Sequence, residues 1–124
     1  MPLIEEIKIN RSKIFLWEPE EEITSLLKNV GIPEKWKESL DNIKLEKRKK
    51  EWLIPRILLN KIFKSGTEIK YTPDGKPVLK GETGNISISH TENCIALAFH
   101  PIYPIGIDVE KISDKVLKVK SKFL

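Results

Sequence analysis

Asp108 and Glu110 are separated by one residue in the stretch Gly106-Ile107-Asp108-Val109-Glu110, and Ser89-His90 precedes them at a short distance. On a strand, residues i and i+2 share a face, so Ile107 and Val109 would face a core while Asp108 and Glu110 stand together on the other side, roughly 7 Å apart along the chain. Two carboxylates that close repel unless a proton or a cation lies between them. Oxygen ligands alone suit Mg²⁺, which takes one or two carboxylates and completes its shell with water and phosphate oxygens. A strand with a solvated acidic outer face accounts for the same spacing, and D-x-E by itself is a weak motif.

Such residues need elements to hold them. Ile7 to Trp17 is strand-like, Glu20 to Asn29 has the spacing of a short amphipathic helix, and Pro33 suits the first turn of another. Leu45 to Phe63 is the longest helical pattern, with Leu53, Ile57, Leu58, Leu59 and Ile62 recurring at helical spacing and Ser65-Gly66 as its stop. Pro55 inside it implies either a bend near Glu51 or a later start. Strands follow: Glu68 to Tyr71, a Thr72-Pro73-Asp74-Gly75 turn, Lys76 to Leu79, the alternating Asn85 to His90, the apolar Cys94 to Phe99, and Ile105 to Glu110. The pattern predicts an α+β fold in which a largely antiparallel sheet packs on one long helix.

The chain has 124 residues, enough for one domain with a modest core, and its 40% hydrophobic and 32% charged composition suits a globular rather than a disordered protein. A net charge of +4 favours anionic partners. Basicity alone suggests nucleic acid, but no aromatic interleaving or binding motif accompanies it, so nucleic acid ranks last. The one cysteine, Cys94, lies in an apolar run and reads as a buried reduced thiol. Without a signal-peptide pattern or an apolar run long enough to span a bilayer, the expected location is cytoplasmic, with no membrane partner. Trp17, Trp36 and Trp52 read as packing residues, and His100 as a loop residue.

Taken in order, the basic helix with Arg56, Gly75-Lys76-Pro77, Ile88-Ser89-His90-Thr91 and Gly106-Ile107-Asp108-Val109-Glu110 resemble the N-terminal half of a 4′-phosphopantetheinyl transferase. The type is the longer, two-subdomain one that activates polyketide, peptide and fatty-acid synthases, and the resemblance runs from about Arg48 to Lys111. It implies two similar α/β halves around a pseudo-twofold axis, with coenzyme A in the cleft and Mg²⁺ on its pyrophosphate. The implied reaction moves the phosphopantetheine arm to a serine of an acyl, peptidyl or aryl carrier protein and leaves adenosine 3′,5′-bisphosphate. By the same resemblance Asp108 and Glu110 are metal ligands, Lys76, Ser89 and His90 contact coenzyme phosphates, and Arg56 does so from the helix; no catalytic base is assigned.

The family's second half brings a further acidic ligand and a lysine from a tryptophan-x-x-lysine-glutamate helix, and that motif is absent here. The expectation is therefore an N-terminal subdomain over 1–112, with 113–124 the start of a connection to a missing C-terminal subdomain. Such a truncated half would transfer phosphopantetheine poorly or not at all, and a homo-oligomer could cover its exposed half-interface. The run Lys47-Arg48-Lys49-Lys50 has two readings: a solvated helix face, or a contact with the coenzyme 3′-phosphate or an acidic carrier protein. A non-catalytic carrier-protein-binding module is the alternative function.

Overall fold

The computed structural model describes residues 3–9, 11–18, 33–63, 68–81, 83–91, 94–113 and 116–123. The helix expected over Glu20 to Asn29 lies outside them. The fold is α+β, and every strand pairing is antiparallel. Strands β1 (Leu3–Ile9), β2 (Ser12–Trp17), β6 (Cys94–His100) and β5 (Asn85–Thr91) form the main sheet in the order β1-β2-β6-β5. Two further hairpins are β3 (Glu68–Tyr71) with β4 (Pro77–Lys80), and β7 (Ile105–Ser113) with β8 (Val116–Phe123).

Burial explains the layering. All seven residues of β6 are buried, as a continuous apolar run paired on both edges requires. Alternation along β2 and β6 divides the sheet into two apolar faces. Phe15, Trp17, Ile95, Leu97, Phe99 and Ile86 pack against helix α2 (Glu46–Ile62) through Leu53, Ile54, Ile57, Leu58 and Leu59, with Leu40 of helix α1 (Glu34–Asp41) closing the same core. Ile14, Leu16, Cys94, Ala96 and Ala98 face the other way and meet Ile105, Ile107 and Val109 of β7. Alanine at 96 and 98 leaves room for those three branched side chains. The result is three layers: helices, sheet, hairpin.

Helix α1 starts at Glu34, directly after Pro33, whose carbonyl accepts the Trp36 N–H at 3.0 Å. Helix α2 starts at Glu46 and runs through Pro55, so a later start is not the solution to that proline. Pro55 has no N–H to offer the Glu51 carbonyl one turn back, and its ring is buried in the core face. The helix stops at Ile62 because Phe63 turns extended while still donating its N–H to Leu59 O at 2.8 Å.

Segment 116–123, expected as a connection, is a full strand paired with β7 from Ile105↔Phe123 to Ser113↔Val116. His100, expected in a loop, ends β6 and is buried; its Nδ1 accepts the N–H groups of Ile102 at 3.0 Å and Tyr103 at 2.9 Å, and its ring lies 5.3 Å from that of Tyr103. Those two bonds satisfy the turn that leads into β7. Among the described residues, no helix is long and apolar enough to cross a membrane.

Two glycines separate backbone strain from crowding. Gly75, at φ +87°, has nothing within 4 Å of where a Cβ would stand. Gly84, at φ +127°, would put a Cβ 2.5 Å from Phe99 Cε1 and 3.1 Å from the His100 carbonyl. Gly75→Ala should cost about 1–2 kcal/mol, the left-handed backbone penalty alone. Gly84→Ala should cost about 2–4 kcal/mol because overpacking adds to it. Urea midpoints of the two variants check the order.

Burial raises the Cys94 thiol above its ordinary range, with the nearby Glu18 charge adding to this and a backbone hydrogen bond to Trp17 opposing it. The native state therefore holds this proton more tightly than the unfolded chain does. The resulting stabilisation is complete below about pH 8.5 and is lost as pH rises through the native thiol's value. Stability should fall over that alkaline range in the wild type and less in Cys94→Ala, and a thiol reagent should label Cys94 only on unfolding.

Candidate functional site

Strand β7 runs beside β5 in the same direction without a backbone ladder between them. The Ser87 hydroxyl accepts the Ile107 N–H at 3.1 Å, and the Ser89 hydroxyl accepts the Val109 N–H at 3.2 Å. The polar face of β5 thus satisfies the edge of β7 that faces away from β8. This seam brings together residues nineteen apart in the chain: Ser89 Oγ lies 3.5 Å from Asp108 Oδ1, donating there while accepting from Val109.

Asp108 and Glu110 are exposed on the outer side of β7, opposite in facing to the buried Ile107 and Val109. The register sets Lys120 opposite Asp108, Lys118 opposite Glu110 and Lys122 opposite Gly106. The acidic pair is therefore matched, position for position, by a lysine row along β8.

Ser89 and His90 are neighbours in sequence but face opposite sides of β5, as strand alternation demands. His90 looks toward the helix layer, where its Nδ1 is 3.6 Å from Glu51 Oε2. Glu51 Oε1 takes a hydrogen bond from Arg48 Nη1 at 2.8 Å. Glu51 is not among the residues that the sequence marks as site candidates. Its signal was a single carboxylate closing the basic run Lys47 to Lys50.

Lys76 stands at the other end of β5. With Pro77, Asn85, Ile86, Pro104 and Ile105 it lines a cavity of about 60 Å³, and Ile86 is about 13 Å of strand from His90. The turn before Lys76 is held by Thr72, whose hydroxyl donates to the Asp74 carboxylate and accepts the Lys76 N–H at 3.0 Å.

Arg56 occupies a separate cavity of about 190 Å³ between α1, α2 and β3, lined also by Trp36, Trp52 and the Lys35–Glu68 ion pair. Its guanidinium lies 3.8 Å from the Trp52 ring centroid and bonds the Trp52 carbonyl at 2.6 Å. Trp36 meets Trp52 edge-on at 6.2 Å. Burial lowers the Arg56 guanidinium below the usual arginine range, and Tyr71, through its charge and a hydrogen bond, offsets part of that.

No protein-family model, curated protein or solved structure matches this chain. The structure thus brings Ser89, Asp108 and Glu110 to one seam with His90 on its far side, and leaves Lys76 and Arg56 in two cavities of their own. Among the described residues, no group of three or more histidine, cysteine or acidic side chains converges as a metal cage would. The donor set is a carboxylate pair with one hydroxyl neighbour, which fits an ion that keeps water and phosphate oxygens in its shell.

The stacked guanidinium gives a check on local packing. Lysine keeps a charge but has no planar face to lay on Trp52. Arg56→Lys should lower stability by about 0.5–1 kcal/mol and perturb the indole fluorescence, both readable in one urea titration.

Proposed function

We propose that this chain provides the wall of a 4′-phosphopantetheinyl transferase site that holds the coenzyme A pyrophosphate and its Mg²⁺. The reading is carried by the seam of β5 and β7, where Ser89 Oγ stands 3.5 Å from Asp108 Oδ1 and Glu110 follows on the same side of β7. In this reading Asp108 and Glu110 hold the ion. Ser89 and His90, on opposite sides of the end of β5, contact coenzyme phosphate oxygens. Lys76 and Arg56 are separate cationic positions, which suits a ligand with one phosphate group on each side of a ribose. When bound, the ion neutralises charge on the pyrophosphate and on the oxygen that leaves. The acceptor is a serine hydroxyl of an acyl, peptidyl or aryl carrier protein, whose attack at the pantetheine-bearing phosphorus releases adenosine 3′,5′-bisphosphate.

The lysine row of β8 favours a second reading, in which Asp108 and Glu110 are only cross-strand charge partners of Lys120 and Lys118. The two readings separate by magnitude. Exposed cross-strand pairs contribute about 0.2–1 kcal/mol each, so under the second reading Asp108→Ala lowers stability by that amount and leaves ligand binding untouched. Under the first, calorimetry detects coenzyme A binding with Mg²⁺ and little with chelator, and Asp108→Ala weakens it at least tenfold. Equal binding by wild type and Asp108→Ala, or binding indifferent to Mg²⁺, would sink the proposal.

A further inference from the structure

Glu51 is out of place for a surface helix carboxylate. Its side chain is only 12% exposed. Arg48, one turn earlier, occupies Oε1 at 2.8 Å, while Oε2 is buried and has no hydrogen-bond partner. A buried carboxylate oxygen without a donor is costly, and such atoms are few in folded proteins. A complementary group, His90 Nδ1, lies 3.6 Å away, just beyond hydrogen-bonding distance, on a side chain that is 44% exposed. A small rotation of that ring closes the gap. The Glu51 side chain is held by the hydrogen bond that Arg48 donates to its other oxygen.

The geometry points to Glu51 as the positioning residue for His90. Its Oε2 accepts the Nδ1 proton, fixes the ring plane and the tautomer, and leaves Nε2 as the nitrogen that meets a ligand. When the ring is protonated, the same carboxylate balances its charge and Nε2–H becomes a fixed donor for a phosphate oxygen. A carboxylate behind an imidazole does this wherever the outer nitrogen works. The ligand half of the inference rests on the coenzyme A reading; the tautomer half does not.

Nitrogen-15 NMR of histidine-labelled protein tests it, at alkaline pH where neutral imidazole tautomers are resolved. His100 is an internal reference, because its Nδ1 accepts two backbone N–H groups and its proton is on Nε2. In the wild type His90 should show the opposite signature, with the proton on Nδ1. In Glu51→Gln, Arg48 keeps the amide oxygen and the amide N–H₂ faces His90, so the His90 proton should move to Nε2. A wild-type His90 spectrum of the His100 type, or one unchanged by Glu51→Gln, would overturn the assignment; the first of these needs no variant to fold. Inorganic pyrophosphate is the binding probe, at a pH acid enough to protonate the ring, and there Glu51→Gln should weaken it about tenfold. If wild type binds no pyrophosphate while the tautomer shifts as expected, the coenzyme A reading fails and the role of Glu51 stands.

Discussion

Strand β6 has no side that faces water. Its seven buried residues leave the sheet apolar on both faces, and both must be covered for the chain to fold. The helices cover one and the β7–β8 hairpin the other. The hairpin cannot join the sheet as another strand, because its contact is through the faces of Ile105, Ile107 and Val109. Its unpaired edge then needs acceptors, and the hydroxyls of Ser87 and Ser89 supply them. The position of Asp108 beside Ser89 is a consequence of how the second apolar face is closed.

That origin ties stability to function at Ser89. One hydroxyl oxygen accepts from the β7 backbone while its proton is directed at Asp108. A site built this way has little freedom in where its carboxylate stands, since moving Asp108 means moving the core residues on either side of it. Glu51 is the counterpart in the helix layer: it stands 3.6 Å from His90 on the helix that also carries the core residues Leu53 and Ile54. The two sides of β5 thus carry two separate polar groups, Ser89 with Asp108 on one and His90 with Glu51 on the other.

Much of this was legible in the residues. The α+β class, the strand alternation of Asn85 to His90, the apolar run of β6 and the long helix all follow from periodicity, and the Asp74-Gly75 turn from its chemistry. Strand β8 was equally legible, for Leu117, Val119, Ser121 and Phe123 alternate with Lys118, Lys120 and Lys122; the expectation of a connection there came from the resemblance, not from this alternation. His100 was misread because a polar residue at the end of an apolar run resembles a loop, whereas its Nδ1 is what a buried turn requires. The passage of the helix through Pro55 could not be settled by propensity, since burial of that ring decides it. The Ser89–Asp108 contact spans separate elements, and no local pattern encodes it. The Glu51–His90 approach is hidden for the same reason.

The most direct measurement is a residue-resolved amide chemical-shift map of the chain titrated with coenzyme A in the presence of Mg²⁺. The account predicts saturable shifts at Ser89, His90, Asp108 and Glu110 that vanish when the ion is chelated. Shifts confined to the Trp36–Arg56 cavity, or none along the ends of β5 and β7, would contradict it.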